Sequence, residues 1–264
     1  MARPHMPRGL RAGFAQRFRA SDLGAQPDPQ ARAHQQELVD WVFTRVADRY
    51  DLGNDIMSLG WHTRWKRRLI EDYVRPEPGT KALDIACGTG DITWMLAERG
   101  CEVIGCDINE DMMRLAPGKR PPGVTADVPF EVADAMDLPY EDERFDLVTI
   151  AYAGRGFPDF PAVLREVARV LKPGGHFWNL DFARPPSRAF DKVYRGWMLA
   201  SGAVLGTVLH GHPKTYMYIP VSMRSYPGQR WLDQQLKAAG FETELVETFA
   251  GLMAYNHGRK PPEP

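Results

Sequence analysis

From residue 81 onward, short apolar runs alternate with segments whose apolar residues recur every three to four positions. The apolar runs predict strands, which cover residues 81–86, 102–106, 129–132, 146–151 and 176–180. The amphipathic segments predict helices, which cover residues 92–98, 110–115, 161–171 and 231–239. Two more apolar runs, at 241–249 and 252–257, predict a closing pair of strands. Because strands and helices alternate, we expect right-handed crossovers and a mostly parallel sheet of the α/β class.

The beginning of the chain has a different composition. Residues 1–30 carry five arginines and no acidic residue in their first 21 positions, and proline, glycine and alanine fill much of the rest. We expect a disordered tail there. The alternatives are an organelle transit peptide, a start codon assigned too early, and a loose contact with anionic lipid. Residues 31–46 then show apolar positions on one helical face and predict a helix.

The remaining segments define the expected domain organisation. Residues 31–75 predict a helical cover before the first strand, and residues 76–183 and 227–260 predict a ligand-binding core. Residues 184–226 interrupt the alternation and include an apolar run at 196–209, which is too short to span a membrane. We expect this insertion to form a lid that handles an apolar substrate or touches a membrane surface. A core-facing helix or a dimer contact is the alternative.

Composition and charge narrow the classes of partner. The chain has 264 residues and a net charge of -1, so nothing predicts nucleic acid as its main ligand. The three cysteines are expected to be reduced and to pack as small apolar residues. No spacing of histidine or cysteine predicts a metal site. We therefore expect a cytoplasmic protein, with peripheral contact at the inner face of the membrane and a homodimer as further expectations.

The most informative stretch is KALDIACGTGD, residues 81–91, which predicts a strand, a glycine turn and a helix. Gly88 and Gly90 allow positive φ and close approach of a ligand, and the following helix start presents unpaired N–H groups. The stretch lacks the GxxxxGK[ST] phosphate loop. It also lacks the third glycine of a dinucleotide-binding GxGxxG. A different nucleotide-like ligand is therefore indicated.

Acidic residues in or after three predicted strands supply the partners for such a ligand. Asp84 is a suitable partner for an α-amino group. Asp107 lies 17 residues after Gly90, at a position where a carboxylate accepts hydrogen bonds from a ribose diol. Asp134, followed by Ala135, suits an adenine edge. An amino acid, a ribose and an adenine together describe S-adenosylmethionine. The alternatives are a structural carboxylate for Asp84 and helix N-caps for Asp107 and Asp134.

The order DIACGTG, CDIN, ADAMDLP, FDLVTI and LKPGG resembles the class I methyltransferase pattern. More narrowly, VFTRVADRYDLGNDIMSLGWHTRWKRRL, LKPGGHFWNLDFARP, SMRSYPGQ, LKAAGFE and GLMAYNHG resemble the ubiquinone/menaquinone biosynthesis C-methyltransferases, over residues 42–260. The resemblance implies a seven-stranded sheet with its last strand antiparallel. It also implies transfer of a methyl group to a ring carbon of a prenylated quinol such as demethylmenaquinol.

The resemblance also assigns site residues by position. Together with the residues of the glycine turn, the expected cofactor contacts are Asp84, Gly88, Thr89, Gly90, Asp107, Ile108, Asp134, Ala135 and Ala151. Arg155 matches an arginine that the family places after the fourth strand, but the asparagine that normally follows it is Gly156 here. Ala151 stands where a serine is common. Both departures lie beside the expected substrate pocket and leave the acceptor open.

Four residues are candidates for catalysis. Arg155 would stabilise the oxyanion of the quinol, and Tyr50 and Asn54 would orient substrate or cofactor. Arg224, in SMRSYP, would bind the quinol oxygens. The alternatives are a surface salt bridge for Arg155 and a packed turn for Tyr50 and Asn54. Two other functions stay open: methylation of a different apolar small molecule, and a cofactor-binding scaffold without catalysis.

Overall fold

The computed structural model describes residues 50–58, 60–211, 216, 223 and 226–262, with the backbone only at 50, 51, 57 and 210. Its helices are α1 (Tyr50–Ser58), α2 (Trp61–Arg68), α3 (Asp91–Glu98), α4 (Glu110–Leu115), α5 (Phe160–Val170), α6 (Arg188–His210) and α7 (Gln229–Ala238). A π-helical turn (Leu69–Val74) extends α2, and short 3-10 turns cover Ala116–Lys119 and Phe249–Gly251. The strands are β1 (Lys81–Ile85), β2 (Glu102–Asp107), β3 (Phe130–Val132), β4 (Phe145–Ala151), β5 (Leu171–Phe182), β6 (Glu242–Thr248) and β7 (Met253–Arg259).

All seven strands form one sheet in the order β3-β2-β1-β4-β5-β7-β6. The first five strands pair in parallel, and β7 pairs antiparallel with both β5 and β6. The α/β prediction and the antiparallel last strand are therefore confirmed. The strand order reverses between β1 and β4, and ligands of open α/β sheets bind at the carboxyl edge beside such a reversal.

The fifth strand differs from the sequence prediction. The sequence predicts a helix at 161–171 and a strand at 176–180, which leaves residues 172–175 as the turn between them. In the structure α5 ends at Val170 and β5 begins at once with Leu171. The pairing with β4 shifts register between Phe145 and Leu147, which are opposite Leu171 and His176. The Lys-Pro-Gly-Gly sequence is thus an irregularity inside a longer strand, because the ladder absorbs the extra residues.

One face of the sheet packs on the segment that precedes it. Leu69 and Ile70 of the π-helical turn are almost fully buried, and they belong to the same core cluster as Trp94 of α3 and Tyr255 of β7. The hydroxyl of Tyr255 donates a hydrogen bond of 3.3 Å to the carbonyl oxygen of Trp65 in α2. Apolar burial of this extent therefore fixes α2 beside the carboxyl-terminal half of the core.

The described chain divides into two compact units. The first contains α1, residues 155–159 and α6, and the second contains the sheet with α2 from Thr63, α3–α5 and α7. Within the first unit α1 packs on α6. Gly53 of α1 is needed there, because a Cβ at this position would overlap the hydroxyl of Tyr216. The predicted tail and the predicted helix at 31–46 lie outside the described residues, and the predicted domain boundaries stay predictions.

No helix in the described ranges is both long enough and apolar enough to cross a membrane.

Candidate active site

The turn after β1 adopts strained backbone geometry. Gly88 and Gly90 have φ values of +56° and +83°, which suit glycine. Ala86 and Tyr152, however, also have positive φ, at 53° and 60°. These two residues directly follow the neighbouring strands β1 and β4. Non-glycine residues in this region cost free energy and cluster at functional sites, so the strain marks the carboxyl edge between β1 and β4.

A glycine is needed at position 90 for a steric reason as well as for its backbone angle. A Cβ built on it would lie 2.8 Å from Cε1 of Phe130 and 3.3 Å from Cβ of Ala116. Gly88 differs, since a Cβ there would meet no heavy atom within 4 Å. The turn is therefore closed against β3 at Gly90 and open at Gly88, where a ligand can approach the backbone.

We expect Gly90→Ala to lower the free energy of unfolding by about 2–4 kcal/mol, since strain and overpacking add. For a chain of this size that is a fall in Tm of roughly 4–8 °C. Gly88→Ala is the matched control. Gly88→Ala introduces the backbone strain of a positive φ but no steric clash. Its fall in Tm should therefore be less than half as large as that of Gly90→Ala. Differential scanning calorimetry measures both, and equal falls would show that Phe130 moves aside freely.

Asp107 at the end of β2 holds the turn in place. Its Oδ2 accepts a hydrogen bond of 2.9 Å from the backbone N–H of Gly88, and its Oδ1 accepts one of 2.9 Å from that of Asn109. The N-cap of α4 is Asn109, whose side chain accepts from the N–H of Met112. The N-cap alternative for Asp107 is therefore wrong, and its carboxylate lies beside the open turn.

Asp134 and its neighbours follow β3 at the same edge. The Oδ1 of Asp134 accepts a hydrogen bond of 2.9 Å from the N–H of Met136, and no described helix begins near it. The N-cap alternative is therefore wrong here too. Ala135 is buried, whereas Ile108 after β2 leaves 39% of its surface exposed. An exposed isoleucine directly after Asp107 provides an apolar surface for a ring.

Asp84 is the buried carboxylate of β1. Its two oxygens accept hydrogen bonds of 2.7 Å from the hydroxyls of Thr93 and Thr149. Burial raises the pKa of Asp84 from 3.8 to about 6, although the two hydroxyls and the charge of Lys66 act in the opposite direction. Asp84 thus has two local hydrogen-bond partners, and its negative charge still opposes folding at neutral pH.

Asp84→Asn should therefore stabilise the cofactor-free protein at pH 8 and change little at pH 4. Because the folded pKa is raised, folding takes up a proton between about pH 6 and pH 4, and the ionised form costs stability above that window. A shift of two pKa units corresponds to about 3 kcal/mol. Thermal unfolding across this pH range measures the effect.

Asp146 is the control for this prediction, because its pKa is shifted in the opposite direction from that of Asp84. Burial would raise the pKa of Asp146, but its hydrogen bonds with Lys172 and with the N–H of Lys81 outweigh burial and lower it. Asp146→Asn should thus lower Tm at pH 8. If Asp84→Asn lowers Tm at pH 8 as well, the ionised Asp84 contributes to stability and the prediction is wrong.

Two lysines that the sequence did not indicate meet at the first residue of α3. Lys66 Nζ donates a hydrogen bond of 2.6 Å to Oδ2 of Asp91. Lys119 Nζ donates one of 2.9 Å to Oγ1 of Thr89 and also contacts Oδ1 of Asp91. Burial would raise the pKa of Asp91, but the charges of Lys66 and Lys119 outweigh it and hold that pKa far below its ordinary value. One signal was present: Lys66 falls on the buried face of α2, next to Trp65.

Two of the four expected catalytic residues, Asn54 and Arg155, are described with their side chains, and both belong to the first unit. Asn54 is half-buried on α1, which begins at Tyr50. Arg155 is half-buried, and its charge acts on Tyr194 of α6: burial raises the pKa of Tyr194 to about 12, and Arg155 opposes that rise. Arg224 lies outside the described residues, as does the side chain of Tyr50. Tyr194 is a polar neighbour of Arg155 that only the structure identifies.

Comparison with known proteins decides the family. A profile of the ubiE/COQ5 methyltransferase family matches residues 30–260. The chain belongs to this family. The ubiquinone/menaquinone biosynthesis C-methyltransferase UbiE of Idiomarina loihiensis is 38% identical over 235 residues, which is 87% of this chain and 93% of the relative. The demethylmenaquinone methyltransferase of Thermus thermophilus is 37% identical over 222 residues, which is 83% of this chain and 100% of the relative.

A solved structure supports the fold of this ubiE/COQ5 family member. An S-adenosylmethionine-dependent methyltransferase of Thermotoga maritima superposes with a TM-score of 0.58, covering 83% of this chain and 98% of its own. At 17% identity this likeness concerns the fold alone.

The chain is a methyltransferase, and its cofactor is S-adenosylmethionine. The edge of the sheet fits this molecule in two respects. The turn is open at Gly88, and the carboxylates of Asp107 and Asp134 lie at neighbouring strand ends where hydroxyl and amino groups need acceptors. Among the described residues there is no group of three or more His, Cys, Asp or Glu side chains arranged to hold a metal ion.

Proposed function

We propose that this methyltransferase methylates a ring carbon of a prenylated quinol. The observation that carries the proposal is the 37–38% identity, over more than four fifths of the chain, to a ubiquinone/menaquinone biosynthesis C-methyltransferase and to a demethylmenaquinone methyltransferase. The acceptor is a small molecule with an apolar tail. S-adenosylmethionine supplies an electrophilic methyl group. The protein has to hold the two reactants in line and make the ring carbon nucleophilic.

The cofactor would be held by the carboxyl edge of the sheet. The turn of Gly88, Thr89 and Gly90 lies against the amino-acid part, with the buried Asp84 behind it. Asp107 accepts hydrogen bonds from the ribose hydroxyls, and Ile108 packs on the adenine ring. Asp134, Ala135 and Ala151 complete the contacts, and this set is supported by their positions at the ends of β1, β2, β3 and β4.

The acceptor chemistry would depend on Arg155. A quinol carbon becomes nucleophilic when a neighbouring hydroxyl loses its proton, and a guanidinium lowers the free energy of the resulting oxyanion. The ring carbon would then form a bond to the methyl group as the bond between that methyl group and sulfur breaks, which releases S-adenosylhomocysteine. Loss of the proton on that carbon to solvent would restore the aromatic ring, and the oxyanion would take up a proton from solvent to give the methylated quinol. Asn54 and Tyr50 orient the substrate, and Arg224 binds its oxygens. The effect of Arg155 on Tyr194 supports a polar environment at this position.

The surface of α6 suits a substrate that resides in lipid. Five apolar residues are 39–73% exposed: Phe190, Val193, Trp197, Val204 and Val208. Their spacing of three, four, seven and four residues keeps them within about 60° of arc on the helix. A continuous exposed apolar stripe with two aromatic rings is typical of a helix that rests on a membrane surface. We propose that this stripe makes the peripheral membrane contact.

Trp197→Glu combined with Val204→Glu should abolish co-sedimentation with vesicles of phosphatidylcholine and phosphatidylglycerol. Lys192→Glu, on another side of the same helix, changes charge without touching the stripe and is the matched control. Sedimentation equilibrium of the same variants tests self-association. A dimer that the double variant dissociates, without vesicle binding by the parent chain, would assign the stripe to a homodimer instead.

The function is tested by mass spectrometry of the quinone pool of cells with and without this protein. We expect a quinone that lacks one ring methyl group to accumulate when the protein is removed. A purified enzyme should transfer the labelled methyl group of S-adenosylmethionine to that demethylated quinol. An unchanged pool, with turnover on other apolar acceptors, would favour the second candidate, a methyltransferase of another small molecule. Gly156, in place of the asparagine found in the family, is the feature that favours that candidate.

A further inference from the structure

A buried lysine lies at the cofactor turn. Lys66 is only 8% exposed, and its Nζ lies 5.7 Å from the centre of the Tyr152 ring and 2.6 Å from Asp91. Within the described part of the chain, the carboxylate of Asp91 is the one to which Lys66 is hydrogen-bonded. Burying an ammonium group is costly unless its charge and its N–H donors find partners. A lysine on the apolar face of α2 therefore needs an explanation beyond packing.

The charges around Lys66 indicate what is bound. Asp91 is shared between two ammonium groups, because Lys119 contacts its other oxygen. Lys119 is further engaged by the hydroxyl of Thr89, and its side chain is more exposed than that of Lys66, at 31% against 10%. The hydrogen bond to Asp91 uses one of the three N–H donors of the Lys66 ammonium. The remaining donors of a lysine in a largely buried position can be offered to an anion at the turn.

The surroundings of Lys66 also contain a charged group of the opposite sign, the carboxylate of Asp84. Asp84 is close enough to Lys66 for the lysine charge to affect its pKa, and both of its oxygens are held by threonine hydroxyls. A carboxylate and an ammonium therefore stand near one another at the turn, with opposite signs. The methionyl part of S-adenosylmethionine is a zwitterion with the complementary pair, an α-ammonium and an α-carboxylate.

We propose that Lys66 binds the α-carboxylate of the methionyl part of S-adenosylmethionine. Asp91, itself held by Lys119, is the positioning residue that directs the Lys66 ammonium toward the turn. Lys66 thereby fixes the orientation of the amino-acid end of the cofactor. The inference rests on the cofactor and on the position of its site, and it is independent of the acceptor that receives the methyl group.

The test compares two ligands that differ only in this carboxylate. Isothermal titration calorimetry measures binding of S-adenosylmethionine and of decarboxylated S-adenosylmethionine to the full chain. We expect the parent protein to prefer the first by about 10- to 50-fold, as for a charge-assisted hydrogen bond in a partly buried site. Lys66→Met should reduce this preference to about twofold or less. Lys66→Arg should keep most of it, and Asp91→Asn should give an intermediate preference.

Lys237→Met is the matched control, since Lys237 pairs with Asp233 on the surface of α7 and should leave the preference unchanged. If Lys66→Met fails to fold, Lys66→Gln makes the same comparison. Equal weakening of both ligands by Lys66→Met would overturn the inference, because Lys66 would then have a structural role only. If the parent protein binds neither ligand, the cofactor site itself is wrong. Failure to methylate a quinol leaves the inference intact.

Discussion

Arg155→Met should lower kcat for methyl transfer to a demethylated quinol by about 100- to 1000-fold. A preorganised cationic donor aimed at a developing oxyanion has effects of this order. The affinity for S-adenosylmethionine should change by about twofold or less, because Arg155 is assigned to the acceptor and not to the cofactor. Arg155→Lys retains the charge but loses the planar fork, so its kcat should lie between the other two. Single-turnover kinetics with labelled cofactor separates the chemical step from product release.

Arg188→Met is the control for this prediction. Arg188 is an exposed residue at the start of α6, so its removal takes away one positive charge from the same unit without affecting the reaction. The oxyanion assignment fails if Arg155→Met turns over at the parent rate. It also fails if cofactor affinity and kcat fall together, since Arg155 would then support the fold or the cofactor site.

Asp107→Ala should weaken binding of S-adenosylmethionine by about 100-fold. The carboxylate holds the N–H of Gly88 and that of Asn109, and it is the assigned acceptor for the ribose hydroxyls. Hydrogen bonds to a charged group contribute about 1.5–3 kcal/mol each, so the loss of one or two to the ligand gives this factor. Calorimetric titration with S-adenosylhomocysteine measures it without turnover.

Glu110→Ala is the matched control for Asp107. Glu110 is exposed at the first position of α4, three residues away, and should leave the affinity unchanged. A 2′-deoxyribose analogue of S-adenosylhomocysteine separates the two roles of Asp107. The parent protein should bind the analogue more weakly than S-adenosylhomocysteine itself, and Asp107→Ala should not distinguish the two. An equal preference in both proteins would restrict Asp107 to holding the turn.

Much of the fold could be predicted because it is encoded locally. The periodicity of apolar residues distinguishes strands from helices, and alternating elements allow few topologies. The place of Asp107 and Asp134 at one edge follows from this alone, because parallel strands end on the same side of a sheet. The length of β5 could not be predicted in this way. Whether Lys172 to Gly175 forms a turn or a bulge depends on the register of β5 with β4. That register is a property of two strands and not of one.

The sequence by itself determined the glycine turn, the strand ends that surround it and the family to which the chain belongs. Only the tertiary structure decided between roles that the sequence left open. Asn109 takes the cap of α4 and so leaves Asp107 to the turn, and Asp84 proves to be held by Thr93 and Thr149. The tertiary structure also places Lys66 within hydrogen-bond distance of Asp91, which lies 25 residues later in the chain. Hydrogen bonds and ion pairs between distant residues depend on how helices and strands pack, and no local pattern records that packing.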